Sequence, residues 1–254
     1  LLVGVVVLDL AAQLLHVSNQ NLIYALQPAA RNRLNASYMT GYFIGGSFLF
    51  YNSTAANYMT LLSSNGILSI AAAGFAPEAV DFVVLTHLHD DHSYLPHIAA
   101  IKAQFPSAKI FGPADVAAKL GEIACEVVTH GSHIEVGEFK IDFFGDLHQE
   151  IHRSIPLVQN VGVLVNSKLY YPGDSYTQCD YPYELLACPS AAPWMKISDL
   201  IDFVEAAKPK RAFATHNAIL NDNGHLLQNS RIREFVTKHG GEFSYLLPGE
   251  SISA

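Results

Sequence analysis

Cysteine is scarce. The 254 residues hold three, Cys125, Cys179 and Cys188, and no Cys-x-x-Cys pair. This excludes an even disulfide framework and fits reduced thiols in a cytosolic chain. Charge is scarce too: 15% of residues are Asp, Glu, Lys or Arg against 50% apolar, and the balance is −8. With no cluster of Lys and Arg, nucleic acid is a poor partner, because phosphate contacts need basic side chains. A clean membrane-spanning run is also missing. The apolar stretches Leu1–Leu15 and Tyr38–Tyr51 are broken, the first by Asp9 and Gln13, the second by Thr40, Gly41, Gly45, Gly46 and Ser47. Neither offers the roughly 18–20 apolar residues that a helix needs to cross a bilayer. Leu1–Leu8 lacks both a basic flank and a small-residue cleavage site, so it does not read as a signal peptide. No internal repeat or low-complexity tract is present.

The length allows one large α/β domain or two small ones. Composition changes near residue 52. Before it the only charged residues are Asp9, Arg31 and Arg33, with no Lys. The expected organisation is therefore an apolar helical segment over 1–51 and an α/β domain over 52–254. In the second part, Asn57–Leu62 and Gly66–Ala71 read as a hairpin about Ser63-Ser64-Asn65-Gly66. Val80–Thr86 is a β-branched run suited to a buried strand. Leu95–Gln104 and Ala114–Leu120 read as helices, the latter stopped by Gly121. Strands are expected at Lys109–Phe111, Glu126–Thr129, Ser132–Val136, Lys140–Phe144, Val161–Asn166, Lys168–Tyr171, Arg211–Ala214 and Phe243–Leu246. Asp199–Ala207 and Ser230–His239 read as helices.

In the first part, Asp9, Gln13, Asn19-Gln20, Ile23-Tyr24-Ala25-Leu26, Pro28, Ala30-Arg31, Arg33-Leu34-Asn35, Tyr38-Met39 and Tyr42-Phe43-x-Gly45-Gly46 form a pattern. It resembles part of a major facilitator superfamily transporter: a helix, a short loop and the next helix. Some fifty residues cannot make an alternating-access machine. The segment is read as a fused remnant packed on its neighbour, with membrane contact through 1–51 as the alternative.

Thr86-His87-Leu88-His89-Asp90-Asp91-His92 follows a buried strand and precedes a helix, so it sits on a loop at a strand's C-terminal end. One histidine there would be unremarkable. Three with an Asp at H-x-H-x-D-H spacing gain little by packing, whereas imidazole nitrogen and carboxylate oxygen are what zinc-like metals take.

That motif is the signature of the metallo-β-lactamase superfamily, and residues 52–254 resemble it further. Gly145-Asp146-Leu147-His148, Pro172-Gly173-Asp174-Ser175 and Ala214-Thr215-His216 each follow a strand, in the family's order of ligands. The resemblance implies an αββα sandwich. It implies that His87, His89 and His148 hold one metal, that Asp91, His92 and His216 hold a second, and that Asp174 bridges them. Two divalent ions are implied, zinc first, with manganese or iron as alternatives. Their shared hydroxide would attack an ester, lactone or phosphodiester of a small molecule, and Asp91 would handle the proton. His89 stands where redox relatives carry a Glu, which favours hydrolysis. His152 is the competing ligand to His148, which is preferred because it follows the strand directly. His148-Gln-Glu-Ile-His152, Asn160-Val-Gly162 and Ala192-Pro193-Trp194-Met195-Lys196 resemble proteins related to ascorbate-phosphate lactonases. Trp194 reads equally as a pocket wall or as core. His16, His97, His130, His133, His225 and His239 do not fall at ligand positions.

Two departures stand against the pattern. The stretch Ile67–Gly74 contains no Asp to brace the histidine loop, and the family's first strand is not evident before it. Both imply an incomplete sheet and lowered metal affinity. Asn217 also stands where the group carries an Asp. The alternative function is a catalytically weak or silent metal-binding domain joined to a transporter fragment.

Overall fold

The computed structural model describes residues 46–53, 56–63, 80–217, 219–246 and 252. They lie within one unit of the chain, Phe43–Ala254. The expectations for residues 1–45, for a strand at Gly66–Ala71 and for a missing brace within Ile67–Gly74 fall outside the described residues.

Two sheets form. The first has five strands in the order β2-β1-β3-β4-β5. They are β1 (Gly46–Ser53), β2 (Ala56–Ser63), β3 (Phe82–Val84), β4 (Lys109–Gly112) and β5 (Glu126–Val127). β1 pairs antiparallel with both β2 and β3, while β3, β4 and β5 run parallel. The second sheet has seven strands in the order β12-β11-β10-β9-β8-β7-β6. They are β6 (His133–Val136), β7 (Phe139–Phe144), β8 (Gly162–Val165), β9 (Leu169–Tyr171), β10 (Leu185–Pro189), β11 (Arg211–Thr215) and β12 (Glu242–Ser244). Among the described residues five helices join them: α1 (Asp90–Ser93), α2 (Leu95–Gln104), α3 (Ala114–Leu120), α4 (Ile197–Ala207) and α5 (Asp222–Lys238).

The strand pattern explains the layers. Alternate residues of a strand face opposite sides. Phe82 and Val84 of β3 enter a core with Phe111, Ile141, Phe143, Val163, Leu169, Tyr171 and Phe213, which fills the space between the sheets. Val83 and Leu85 face the other way, onto Ile98 and Ile101 of α2 and Val116 and Leu120 of α3. On the outer face of the second sheet, Leu164, Tyr170, Leu186 and Ala212 meet Leu200, Phe203 and Val204 of α4 and Ile232 and Val236 of α5. At about 1.5–3 kcal/mol for each large buried apolar side chain, these three clusters hold the layers together. The outcome is the αββα sandwich.

Several elements differ from expectation. β1 takes the place beside β3 that the sequence left without a strand, and it runs through the composition change at residue 52. Its sequence, Gly-Ser-Phe-Leu-Phe-Tyr-Asn-Ser, is rich in aromatic residues that favour strands over helix. Its neighbour β2 matches the strand expected at Asn57–Leu62, but its hairpin partner is β1. β10, in the interior of the second sheet, was not foreseen: Leu-Leu-Ala-Cys-Pro neither alternates nor carries β-branched residues. Helix α5 starts eight residues before the expected Ser230, because Asn221 caps it by accepting from the Gly224 N–H at 3.0 Å. Asn-Asp-Asn-Gly reads locally as a turn, and the cap turns it into a helix start.

Candidate metal centre

Four loops converge, and each leaves the C-terminal end of a strand. The loop after β3 carries His87 and His89 and runs into α1, which carries Asp91 and His92; the loop after β7 carries His148; the loop after β9 carries Asp174; and His216 directly follows β11. β3 belongs to one sheet and the other three strands to the second. The two are stitched at this point by a bridge between His87 and Asn160 and by the Val161 N–H donating to the Thr86 carbonyl at 2.9 Å.

All seven residues named from the sequence come together. Ligating atoms of His87, His89 and His148 lie within 4.8 Å of one another, as do those of His87, Asp91 and His92 and those of His92, Asp174 and His216. The Asp174 carboxylate sits in the middle. Its Oδ1 is 3.3 Å from His92 Nε2, and its Oδ2 is 3.3 Å from His216 Nε2 and 3.6 Å from His148 Nε2. Asp91 Oδ2 is 3.6 Å from both His92 Nε2 and His216 Nε2. His87 also packs against His92, ring centroids 3.9 Å apart and planes tilted by 42°, so it touches both sets. His152 lies apart, exposed, with its Nδ1 on the Ser154 hydroxyl at 2.8 Å.

Burial makes this cluster expensive without a cation. His87 and His148 Nε2 and Asp174 Oδ1 are buried without a hydrogen-bond partner, where an unsatisfied polar group costs about 1–3 kcal/mol. A tetrahedral metal with bonds of about 2.0–2.1 Å has ligand–ligand edges of about 3.3 Å, the spacing found around Asp174. The residues therefore fit a metal, and the donor set is nitrogen and oxygen without sulfur.

Protonation agrees with that fit. Burial pulls the His87, His89 and His92 imidazoles down, toward the neutral form that ligates. Burial alone would raise Asp174; His92, His216 and His148 outweigh it and hold the carboxyl well below the usual range. His216 differs: burial lowers it, but Asp174, Asp91 and the Ala191 carbonyl carry it up to about 9. The two carboxylates also differ in access, with Asp174 side-chain exposure at 4% and Asp91 at 32%.

The outer contacts orient the ligands. Nδ1 of His148 faces the Gln149 carbonyl, and Nδ1 of His216 faces the Ala191 carbonyl. In each case Nε2 is left pointing at the centre. The Ala191 carbonyl thus serves His216 in a chain with Asn217 in place of an acid. His216 has φ 55°, in the left-handed region that a side chain disfavours by about 1–2 kcal/mol. The imidazole is turned into the cluster at that cost. Gly173 has φ 68°, and a Cβ there would meet Asn160 Oδ1 at 2.3 Å.

Sequence reasoning missed Lys119 and the supporting roles of Asn160 and Trp194. Lys119 of α3 donates from Nζ to the Leu88 carbonyl at 2.7 Å, to Asp90 Oδ1 at 2.8 Å and to Ser93 Oγ at 2.9 Å. It braces the histidine loop from outside. Asn160 holds the Asp174 turn: its Nδ2 donates to the Pro172 carbonyl at 2.9 Å, and its Oδ1 accepts the Asp174 N–H at 3.0 Å. Trp194 donates its indole N–H to Asp174 Oδ2 at 2.8 Å. Asn160 and Trp194 lie in stretches that resemble lactonase relatives, but their contacts to Asp174, like those of Lys119 to the histidine loop, come only from the fold.

Comparisons with known proteins agree with this fold. The family model described as the Beta-lactamase superfamily domain matches residues 44–216. Protein Rv0786c of Mycobacterium tuberculosis is 31% identical over 160 residues, covering 61% of this chain and 75% of its own length. Igni18, a metallo hydrolase from Ignicoccus hospitalis, superposes with a TM-score of 0.56 at 15% identity, covering 82% of this chain and 98% of its own. A stretch of 47 residues is 57% identical to the uncharacterized transporter YgaY of Escherichia coli O157:H7, covering 18% of this chain and 12% of that protein. Among the described residues no helix is long and apolar enough to cross a membrane.

Proposed function

We propose that this chain, which belongs to the beta-lactamase superfamily, is a metal-dependent hydrolase that cleaves an ester, lactone or phosphodiester bond of a small molecule. The observation that supports this most is the placement of one buried carboxylate, Asp174, between two imidazole sets. In this reading His87, His89 and His148 hold one divalent cation, Asp91, His92 and His216 hold another, and Asp174 is shared. Zinc suits the nitrogen and oxygen donors, with manganese or iron as alternatives. When bound, two such cations supply a water whose pKa falls from about 15.7 to near 7, together with Lewis acidity toward the scissile group.

The chain's own residues do the rest. Asp174, almost fully buried and held ionised, supplies fixed negative charge and has no room to exchange protons with solvent. Asp91 is the more open carboxylate and the one suited to accept the proton of the attacking water at its free oxygen and return it to the leaving group. His148 and His216, with Nδ1 anchored on carbonyls, aim Nε2 at the centre. The acidic balance of −8 argues for a small substrate over nucleic acid.

The test is hydrolysis of a panel of activated esters, lactones and phosphodiesters by the metal-loaded protein, before and after treatment with a chelator. Turnover on one class that chelation abolishes and zinc restores supports the proposal. Turnover indifferent to chelation contradicts it.

A further inference from the structure

Trp194 is the chain's single tryptophan. It is 6% exposed and lies in the turn after β10, closed by the Met195 N–H on the Ala192 carbonyl at 3.1 Å. Its indole edge meets His148 with centroids 6.0 Å apart and Tyr176 at 5.1 Å. Its N–H donates to Asp174 Oδ2 at 2.8 Å. A buried tryptophan can satisfy its N–H on any nearby carbonyl; this one uses the most central carboxylate of the cluster. The same turn supplies the Ala191 carbonyl to His216 Nδ1. One six-residue loop, 190–195, therefore orients two members of the cluster from outside.

We propose that Trp194 is a positioning residue, whose indole N–H fixes the Asp174 carboxylate with Oδ1 toward His92 and Oδ2 toward His148 and His216. This rests on the reading of Asp174 as the shared ligand. The physical reason is rotational. A carboxylate has two oxygens and about four lone-pair sites. With one lone pair of Oδ2 taken by the indole, rotation about the Cβ–Cγ bond would break a buried hydrogen bond to an ionised acceptor, one of the stronger kinds. The carboxylate plane is thus set before any cation arrives, and Oδ1 is left toward His92 while Oδ2 serves His148 and His216. Outer groups of this sort, when removed, typically weaken metal binding about ten- to a hundredfold.

The experiment uses Trp194→Phe, which keeps an aromatic ring against His148 and Tyr176 and removes the N–H. Zinc affinity is measured by competition with a chelator, and the melting temperature of each metal-free protein alongside it. In the wild type, tryptophan emission is followed during zinc titration; with one tryptophan the signal has one source. The account expects zinc affinity about ten- to a hundredfold weaker in Trp194→Phe, metal-free melting temperatures alike, and wild-type emission that changes until zinc binding saturates. Equal zinc affinity in the two proteins overturns the proposal, as does wild-type zinc binding without any emission change. A variant that loses melting temperature but not affinity shows packing alone and also overturns it. A wild type that binds no zinc overturns the site itself, which separates the two failures.

Discussion

The backbone N–H of Asp174 donates to the side-chain Oδ1 of Asn160 at 3.0 Å, and the same amide returns its Nδ2 to the Pro172 carbonyl at 2.9 Å. One asparagine, fully buried, thus closes the turn that aims the central carboxylate. Because Asn160 also pairs with His87 across the two sheets, it joins the halves of the site.

Asn160→Ala is expected to destabilise the protein by about 2–6 kcal/mol, since it strands a buried N–H and a buried carbonyl at about 1–3 kcal/mol each. The check is chemical denaturation, with the midpoint falling and the slope unchanged. A midpoint within error of the wild type would mean that water or a shifted backbone replaces the amide.

Gly173→Ala should be worse than an ordinary glycine replacement. Its φ of 68° disfavours any side chain, and the new Cβ would press on Asn160 Oδ1. The left-handed conformation alone costs about 1–2 kcal/mol, and displacement of Asn160 adds to it. Loss of both melting temperature and retained metal is expected; a fully stable, metal-loaded Ala variant would show that the turn has room.

The site was legible in the sequence to an unusual degree, for a physical reason. Metal ligands must be particular residue types, and they sit on loops after strands, so H-x-H-x-D-H, His148, Asp174 and His216 each announce themselves locally. What holds them does not. Lys119, Asn160 and Trp194 reach hydrogen-bond partners 12 to 31 residues away, brought together only by folding, and their residue types have many uses. The sheets were legible where runs were β-branched, as at Val80–Thr86, and illegible where burial rather than pattern makes the strand, as at β10. The place of β1 was hidden because its residues match a transporter-like run in composition while pairing as a strand.

Lys119→Met removes three donated hydrogen bonds to the histidine loop and keeps most of the apolar stem. The expected result is metal retention weakened about tenfold or more, with a smaller change in melting temperature, because the side chain is partly exposed. Competition against a chelator measures it. Unchanged retention would show that the loop holds its shape unaided.

His148→Ala should lose more metal than His152→Ala. His148 is buried among His87, His89 and Asp174, whereas His152 is exposed and bonded to Ser154. Elemental analysis of the two variants decides it, and a larger loss at His152 would reverse the choice of imidazole.

The central claim is that Asp174 is the carboxylate shared by two cations, and elemental analysis of the wild type beside Asp174→Asn tests it most directly. The account predicts about two divalent ions per wild-type chain, and a sharp loss of bound metal in the variant together with its hydrolysis, the fold being kept. A wild type purified without chelator and holding almost no metal, or an Asp174→Asn protein holding as much metal as the wild type and turning over as fast, would contradict it.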